Sequence, residues 1–157
     1  MTSTCQICAR AIKSKNGLIA HHGYTRPGYG YQTRSCPGAK FRPYEVSCDC
    51  IQATIDSMNS WVEKAQATHA EWIANPPDTL TWAEMRNGRT TGRTITVARP
   101  VGFDTGKPRG SFSLRDEDRY ASHFWSTQSQ RKRDIAGTKE TIWFLGERLA
   151  AWVAPAA

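Results

Sequence analysis

The segment from residue 5 to residue 43, CQICARAIKSKNGLIAHHGYTRPGYGYQTRSCPGAKFRP, constrains the fold most. Glycine stands at 17, 23, 28, 30 and 38, and the stretch is irregular and turn-rich. A segment this short cannot bury a core of its own and needs a staple such as a metal. The Cys5-x-x-Cys8 pair, the adjacent His21 and His22, and Cys36 offer one. A C-x-x-C turn aims two thiolates at one ion. Zinc then needs two more N or S ligands, usually delivered by a separate turn, to complete a tetrahedron.

Cys5, Cys8, one histidine and Cys36 make a Cys3His set for structural zinc. Adjacent histidines seldom ligate one ion together, because the chain between them is too short for tetrahedral geometry. His22, which leads into Gly23 and a turn, is the better ligand, and His21 stays open as the alternative. Cys48 and Cys50, at the start of the first helix, are rivals that would give a Cys5, Cys8, Cys48, Cys50 set. Their other reading is as small core residues. All five cysteines fall within the first 50 residues. An odd, clustered count suits metal ligation better than a disulfide framework. A thioredoxin-like role for Cys5 and Cys8 would need a strand before the pair, and only four residues precede it.

From Pro43 onward the pattern turns helical. Ile51, Ile55, Met58, Val62, Ala65, His69 and Trp72 fall at steps of four and three, a heptad seam that Asn75-Pro76-Pro77 ends. Pro43 or Ser47 can open that helix. A second seam runs through Phe124, Gln128, Arg131, Ile135, Thr138, Ile142, Leu145, Leu149 and Trp152, opened by a capping-box-like Ser113-Leu114-Arg115-Asp116. Between them, Arg93–Ala98 has strand composition. Asn87-Gly88 reads either as a type I′ hairpin turn or as a helix end. The expected architecture is therefore mainly α with some β. A zinc-finger module with a basic aromatic loop (1–42) docks on a long antiparallel helical hairpin, in coiled-coil style, made of helices at 43–75 and 113–153, with a small β insertion at 78–112.

Charge points to an anionic partner. The chain carries a net +7, unevenly spread. Residues 1–47 hold seven Lys/Arg against one acid, residues 48–85 one against six, and residues 86–157 thirteen against seven. The acidic first helix can pair with a basic neighbour, which leaves basic surface free. Inside the zinc loop lie Tyr24, Arg26, Tyr29, Tyr31 and Arg34, and mid-way along the second helix lie Arg131, Lys132 and Arg133. Arginine contacts phosphate, tyrosine stacks on bases, and glycine lets the backbone approach. The same residue types also make protein-interface hot spots.

Several classes are excluded. No window approaches a membrane span, and MTSTCQICARAIK has no apolar signal region, which together point to the cytoplasm. Gly102 to Lys107 is one residue short of a P-loop and lacks its flanking elements. A His-Asn-His nuclease needs further histidines at spacings this chain does not show. No small-molecule or catalytic constellation stands out, so the reading is non-enzymatic.

The run C-x-x-C-x-R, then G-L-I-A-H-H-G-Y-x-R-P-G-x-G, then S-C-x-G and R-P-Y-E-V-S resembles short Cys3His zinc-finger proteins carried by bacteriophages and other mobile elements. The resemblance covers the first third of the chain. It implies Cys5, Cys8, His22 and Cys36 as zinc ligands. It also implies a role inside a bacterial host cell. Two functions follow as expectations. One is binding of nucleic acid or a nucleoprotein through the basic aromatic loop. The other is inhibition or adaptation of a host protein, itself one that handles nucleic acid, in the manner of anti-defence or anti-CRISPR proteins.

Overall fold

The computed structural model describes residues 2–25, 32–106 and 116–154. Strands β1 (Thr2–Thr4), β2 (Ala11–Lys15) and β3 (Leu18–Ile19) form an antiparallel sheet in that order. Asn16 and Gly17, with φ of 53° and 74°, turn β2 into β3. Positive φ at both central residues is the type I′ requirement, and Asn-Gly meets it cheaply. Strands β4 (Gly23–Thr25) and β5 (Gln32–Ser35) pair antiparallel, with Tyr24 opposite Arg34. Helix α1 spans Asp49–Ala74. Strands β6 (Thr79–Arg86) and β7 (Arg89–Ala98) make a hairpin, and helix α2 spans Asp116–Ala150.

The chain divides into two compact units, and the boundary falls inside both helices. The first comprises Met1–Glu63 and Ala136–Ala157. Its core joins Ile7, Ile19, Tyr24 and the buried cysteines to Ile51 of α1 and Leu145 of α2. The start of α1 is fixed by a buried side chain from the C-x-x-C turn. Gln6 is fully buried, accepts a hydrogen bond from the Cys50 N–H at 2.9 Å, and donates to the Asp49 carboxylate at 2.9 Å. The Asp49 carboxylate also accepts from the Cys50 N–H, and the Ser47 hydroxyl accepts from the Asp49 N–H at 3.3 Å. These groups satisfy donors that a helix N-terminus leaves open.

The second unit is Lys64–Ile135. In the β6–β7 hairpin, Leu80 faces Val97 and Trp82 faces Ile95. That face packs against Tyr120 and Phe124, both fully buried, and Trp72. Trp72 stacks on Phe124 with centroids 5.2 Å apart, and Phe103 meets Tyr120 and Phe124 edge-on. Alternation along each strand supplies the apolar face. Asn87 and Gly88, at φ 53° and 75°, form the type I′ turn. Of the two readings of this dipeptide, the structure takes the hairpin.

The expectation of a mainly helical protein built on a long antiparallel hairpin is overturned. The fold is mixed α+β, and its strands make up 24% of the chain beside 44% helix. The seams do mark the buried stripe of each helix, as at Ile51, Val62, Phe124, Gln128 and Leu145. A seam records that a stripe is covered and does not record by what. Here β-structure contributes to the cover in both units. Cys5, Cys8 and Cys36 of the first 42 residues share one core with Cys50, Ile51 and Leu145.

Two histidines of the second unit should make its stability pH-dependent. His123 stacks flat on Trp82 at 4.2 Å, and burial lowers its pKa. Burial, followed by Lys132 and Arg131 nearby, lowers that of His69. With both folded-state values depressed, the unfolded chain takes up protons first as pH falls through about 6.5. Their contribution is therefore complete above that pH and is lost as pH falls through the folded-state values. Urea unfolding of the second unit, followed by Trp fluorescence, should show a lower midpoint at pH 5.5 than at pH 7.5. The H69Q/H123Q variant should flatten the difference.

Candidate metal centre

Three thiols and one imidazole converge in the first unit. The ligand atoms of Cys5, Cys8, His22 and Cys36 all lie within 4.8 Å of one another. Cys5 and Cys8 flank the turn between β1 and β2. Its hydrogen bonds, Cys5 N–H to the Arg10 carbonyl and Ala9 N–H to the Cys5 carbonyl, make a tight knuckle, with Ala9 at φ 60°. His22 and Cys36 flank β4 and β5, and the Cys36 N–H donates to the His22 carbonyl at 3.0 Å. Two turns thus deliver two donors each, the arrangement zinc prefers.

Two of the six separations match a tetrahedral ion. With metal–sulfur bonds near 2.3 Å and metal–nitrogen bonds near 2.0 Å, neighbouring corners stand about 3.8 Å apart for two sulfurs and about 3.5 Å for sulfur and nitrogen. The Cys5 and Cys36 sulfurs are 3.7 Å apart, and the Cys8 sulfur is 3.4 Å from His22 Nε2. The His22 Nδ1 bonds the Ala20 carbonyl at 2.8 Å. That contact fixes Nδ1 as the protonated nitrogen and turns Nε2 toward the thiols as a free donor. His21 points elsewhere, with its Nε2 3.1 Å from the Ser35 hydroxyl on the surface.

The electrostatics suit a cation. Cys5, Cys8 and Cys36 are buried. Hydrogen bonds from Cys36 and Cys5, with the Arg10 guanidinium 3.5 Å away, push the Cys8 thiol far down. Hydrogen bonding to Cys5 and Cys8 pushes the Cys36 thiol far up. Three adjacent thiols cannot all ionise without a positive centre among them, which a divalent ion would supply. Backbone N–H groups already aim at the sulfurs, from Ile7 and Cys8 onto Cys5, from Arg10 onto Cys8 and from Gly38 onto Cys36. Such donors orient and stabilise thiolates.

Cys48 and Cys50 stand outside this group. Cys50 is buried beside it, with its sulfur 3.8 Å from both the Pro37 carbonyl and the Thr54 hydroxyl. Burial raises its pKa, as expected of a protonated core thiol.

The proposed binding residues fare unevenly. Tyr24 is buried in the core, where it cannot serve as a stacking platform. Arg34 lies on β5, and Arg26, Tyr29 and Tyr31 lie outside the described residues. Arg131 is committed to packing: its guanidinium sits 4.3 Å over the Trp72 ring and donates to the Thr68 carbonyl at 3.2 Å. Lys132 and Arg133 are exposed, and Arg133 bonds Gln130 at 2.7 Å.

Residues the sequence did not single out hold the centre in place. Arg148 of α2 donates to the Gln6 and Cys5 carbonyls at 3.1 and 3.3 Å and lies 4.1 Å over the Tyr44 ring. It ties the C-x-x-C knuckle to the last turns of α2. The Tyr44 hydroxyl donates back to the Arg148 carbonyl at 2.6 Å. Nothing local marks Gln6 or Arg148, which are 142 positions apart. Arg10 was visible in the C-x-x-C-x-R spacing but had no evident task. Its guanidinium spans the Cys8 sulfur and the Gly23 carbonyl.

No family model, curated protein or solved structure matches the chain. Among the described residues, no helix is long and apolar enough to cross a membrane. The centre defines the class: a chain with a Cys3His cluster, its three cysteines buried, able to hold a metal ion.

Proposed function

We propose that the protein is a non-enzymatic zinc-finger protein that binds nucleic acid or a nucleoprotein in a bacterial cytoplasm. The observation that carries the reading is how the β4–β5 hairpin is closed. His22 and Cys36 stand at its base, joined by a backbone hydrogen bond and aimed at the same point. An ion held by four protein donors has no open position for substrate, so zinc here is structural and sets the span of the loop. That loop carries Arg26 and Arg34 with Tyr29 and Tyr31, in a chain of net charge +7. Basic side chains in the sequence between two ligands of one ion suit phosphate contacts, which release counterions.

The test is binding of the zinc-loaded protein to duplex DNA, single-stranded DNA and RNA across a salt series. Affinity should fall log-linearly with salt. R26Q/R34Q should weaken binding uniformly across sequences and reduce the slope by about 2. Absence of binding at low salt would contradict the reading. A second reading, a phage-type inhibitor or adaptor of a host protein, draws support from two large exposed side chains of the first unit. Trp61 is 45% and Trp143 66% exposed, and exposed tryptophan is typical of interface anchors. Salt-insensitive capture of a host protein, lost in W61A or W143A, would favour it.

A further inference from the structure

The β6–β7 hairpin is longer than its core requires. Its base, Leu80, Trp82, Ile95 and Val97, packs on Tyr120 and Phe124. Beyond Glu84, every residue from Met85 to Thr94 is exposed. At about 3.3 Å per residue, the free part of β6 together with its turn extends on the order of 13 Å past the packed part. A two-stranded ribbon left bare on both faces gains nothing from burial, so its length asks for another explanation.

Its composition suggests one. Strand alternation continues the core-packing face as Glu84 and Arg86 on β6 and Arg93 on β7, and the register sets Arg89 directly opposite Arg86. Glu84 and Thr91 are bonded side chain to side chain at 2.7 Å, which confirms that both lie on that face. The register is irregular there, between Ala83 and Met85, where Thr91, Gly92 and Arg93 stand opposite Glu84 alone. Gly92 sits at φ 79°, which suits a bulge. The lone carboxylate is thus held by a threonine. Among the described residues, the guanidinium groups of Arg86, Arg89 and Arg93 meet no carboxylate. The opposite face offers hydroxyls, with Thr81 and Thr96 bonded across the strands at 3.1 Å.

We propose that this ribbon tip is a duplex-DNA contact, entering the major groove with Arg86, Arg89 and Arg93 on phosphates and base edges. The proposal rests on the nucleic-acid reading above and assigns it a second, separate surface. The major groove of B-DNA admits a two-stranded ribbon and is about 8.5 Å deep, within the reach of the free segment. Arginine is the residue best suited to phosphate and to guanine edges there. Single strands are disfavoured as ligands, because the tip from Glu84 to Thr94 contains no aromatic on which a base could stack. Duplex RNA is disfavoured because its major groove is too narrow for side chains to read.

The experiment compares the zinc-loaded full-length protein with R86Q/R89Q/R93Q on a mixed-sequence duplex, the matching single strand and the matching RNA duplex, each across a salt series. Among the described residues the three guanidinium groups make no hydrogen bond or ion pair, so circular dichroism and thermal melting should match the wild type. Duplex-DNA affinity at 0.1 M salt should fall 10- to 100-fold, and the slope of log K against log salt should flatten by about 2.7 if all three meet phosphate. The charge control is K64Q/K139Q, at two exposed lysines assigned to neither surface, which should change duplex affinity less than threefold. A wild type that binds duplex DNA with an unchanged triple variant would overturn this inference and leave the nucleic-acid reading standing. A triple variant that loses single-strand or RNA binding but not duplex-DNA binding would overturn the duplex assignment. A wild type that binds no nucleic acid would overturn both.

Discussion

Removing the metal from the zinc-loaded chain with a chelator should unfold its first unit. The reason is the small size of the core there. Cys5, Cys8 and Cys36 are themselves core residues, packed with Ile7, Ile19, Ile51 and Leu145. The strands they anchor are two to five residues long and cannot stand alone. In a site of this kind the binding free energy of the ion is folding free energy, on the order of 10 kcal/mol at neutral pH. A domain has about that much stability in total. Cys36→Ser should reproduce the effect of the chelator, because it removes one thiolate and leaves the others without a closed tetrahedron. Hydrogen exchange is the appropriate readout. Protection should vanish across Ala11–Ile19 and at the start of α1 on chelation and return on adding zinc. Unchanged protection after complete metal removal would show that the ion is not part of this core.

Gly38→Ala should damage the centre almost as severely, though it touches no ligand chemically. Cys36-Pro37-Gly38 is the turn that presents the fourth donor. A Cβ on residue 38 would lie 2.5 Å from the Cys5 sulfur and 3.2 Å from Ile7 Cγ1. Both neighbours are fully buried, so neither can step aside. Either the Cys5 sulfur leaves its corner or the turn carrying Cys36 moves out. Zinc affinity should drop by at least 10- to 100-fold, the range seen when groups supporting a ligand are removed, as measured by competition with a chromogenic chelator. Gly17→Ala is the matched control. Its Cβ meets nothing within 4 Å, but its φ of 74° is left-handed. That variant should lose roughly 1–2 kcal/mol of stability to backbone strain and keep its zinc affinity. Equal zinc affinity in the two variants would remove the steric account.

The four clustered donors were legible because their information is local. A C-x-x-C pair, a histidine before a glycine turn and a cysteine before Pro-Gly each describe a few residues of backbone. The helical stripes were legible for the same reason, since a period near 3.6 is written into adjacent residues. The misreading of the architecture came from partners. Ile51 and Trp72 lie on one seam, yet one belongs to the core around the cysteines and the other to the core under the β6–β7 ribbon. Nothing in the seam distinguishes them. The short strands were read as irregular loop because strands of two to five residues carry too few alternations to show a period. Tyr24 shows a further limit. Its neighbours Arg26 and Tyr29 suggested a stacking surface, while the position opposite Arg34 in a two-stranded sheet turns its ring into the core. The tasks of Gln6 and Arg148 depend on contacts across 44 and 142 positions and had no local mark.

Cobalt(II) titration of the metal-free full-length protein is the measurement that bears most directly on the Cys3His centre. One equivalent should bind and give the intense visible bands of a tetrahedral ion together with thiolate-to-metal charge transfer scaled to three sulfurs. Zinc should displace it, Cys36→Ser should lower the charge-transfer intensity, and His21→Ala and Cys50→Ser should leave the spectrum unchanged. A weak octahedral spectrum, or intensity that depends on Cys50 and not on Cys36, would contradict the site.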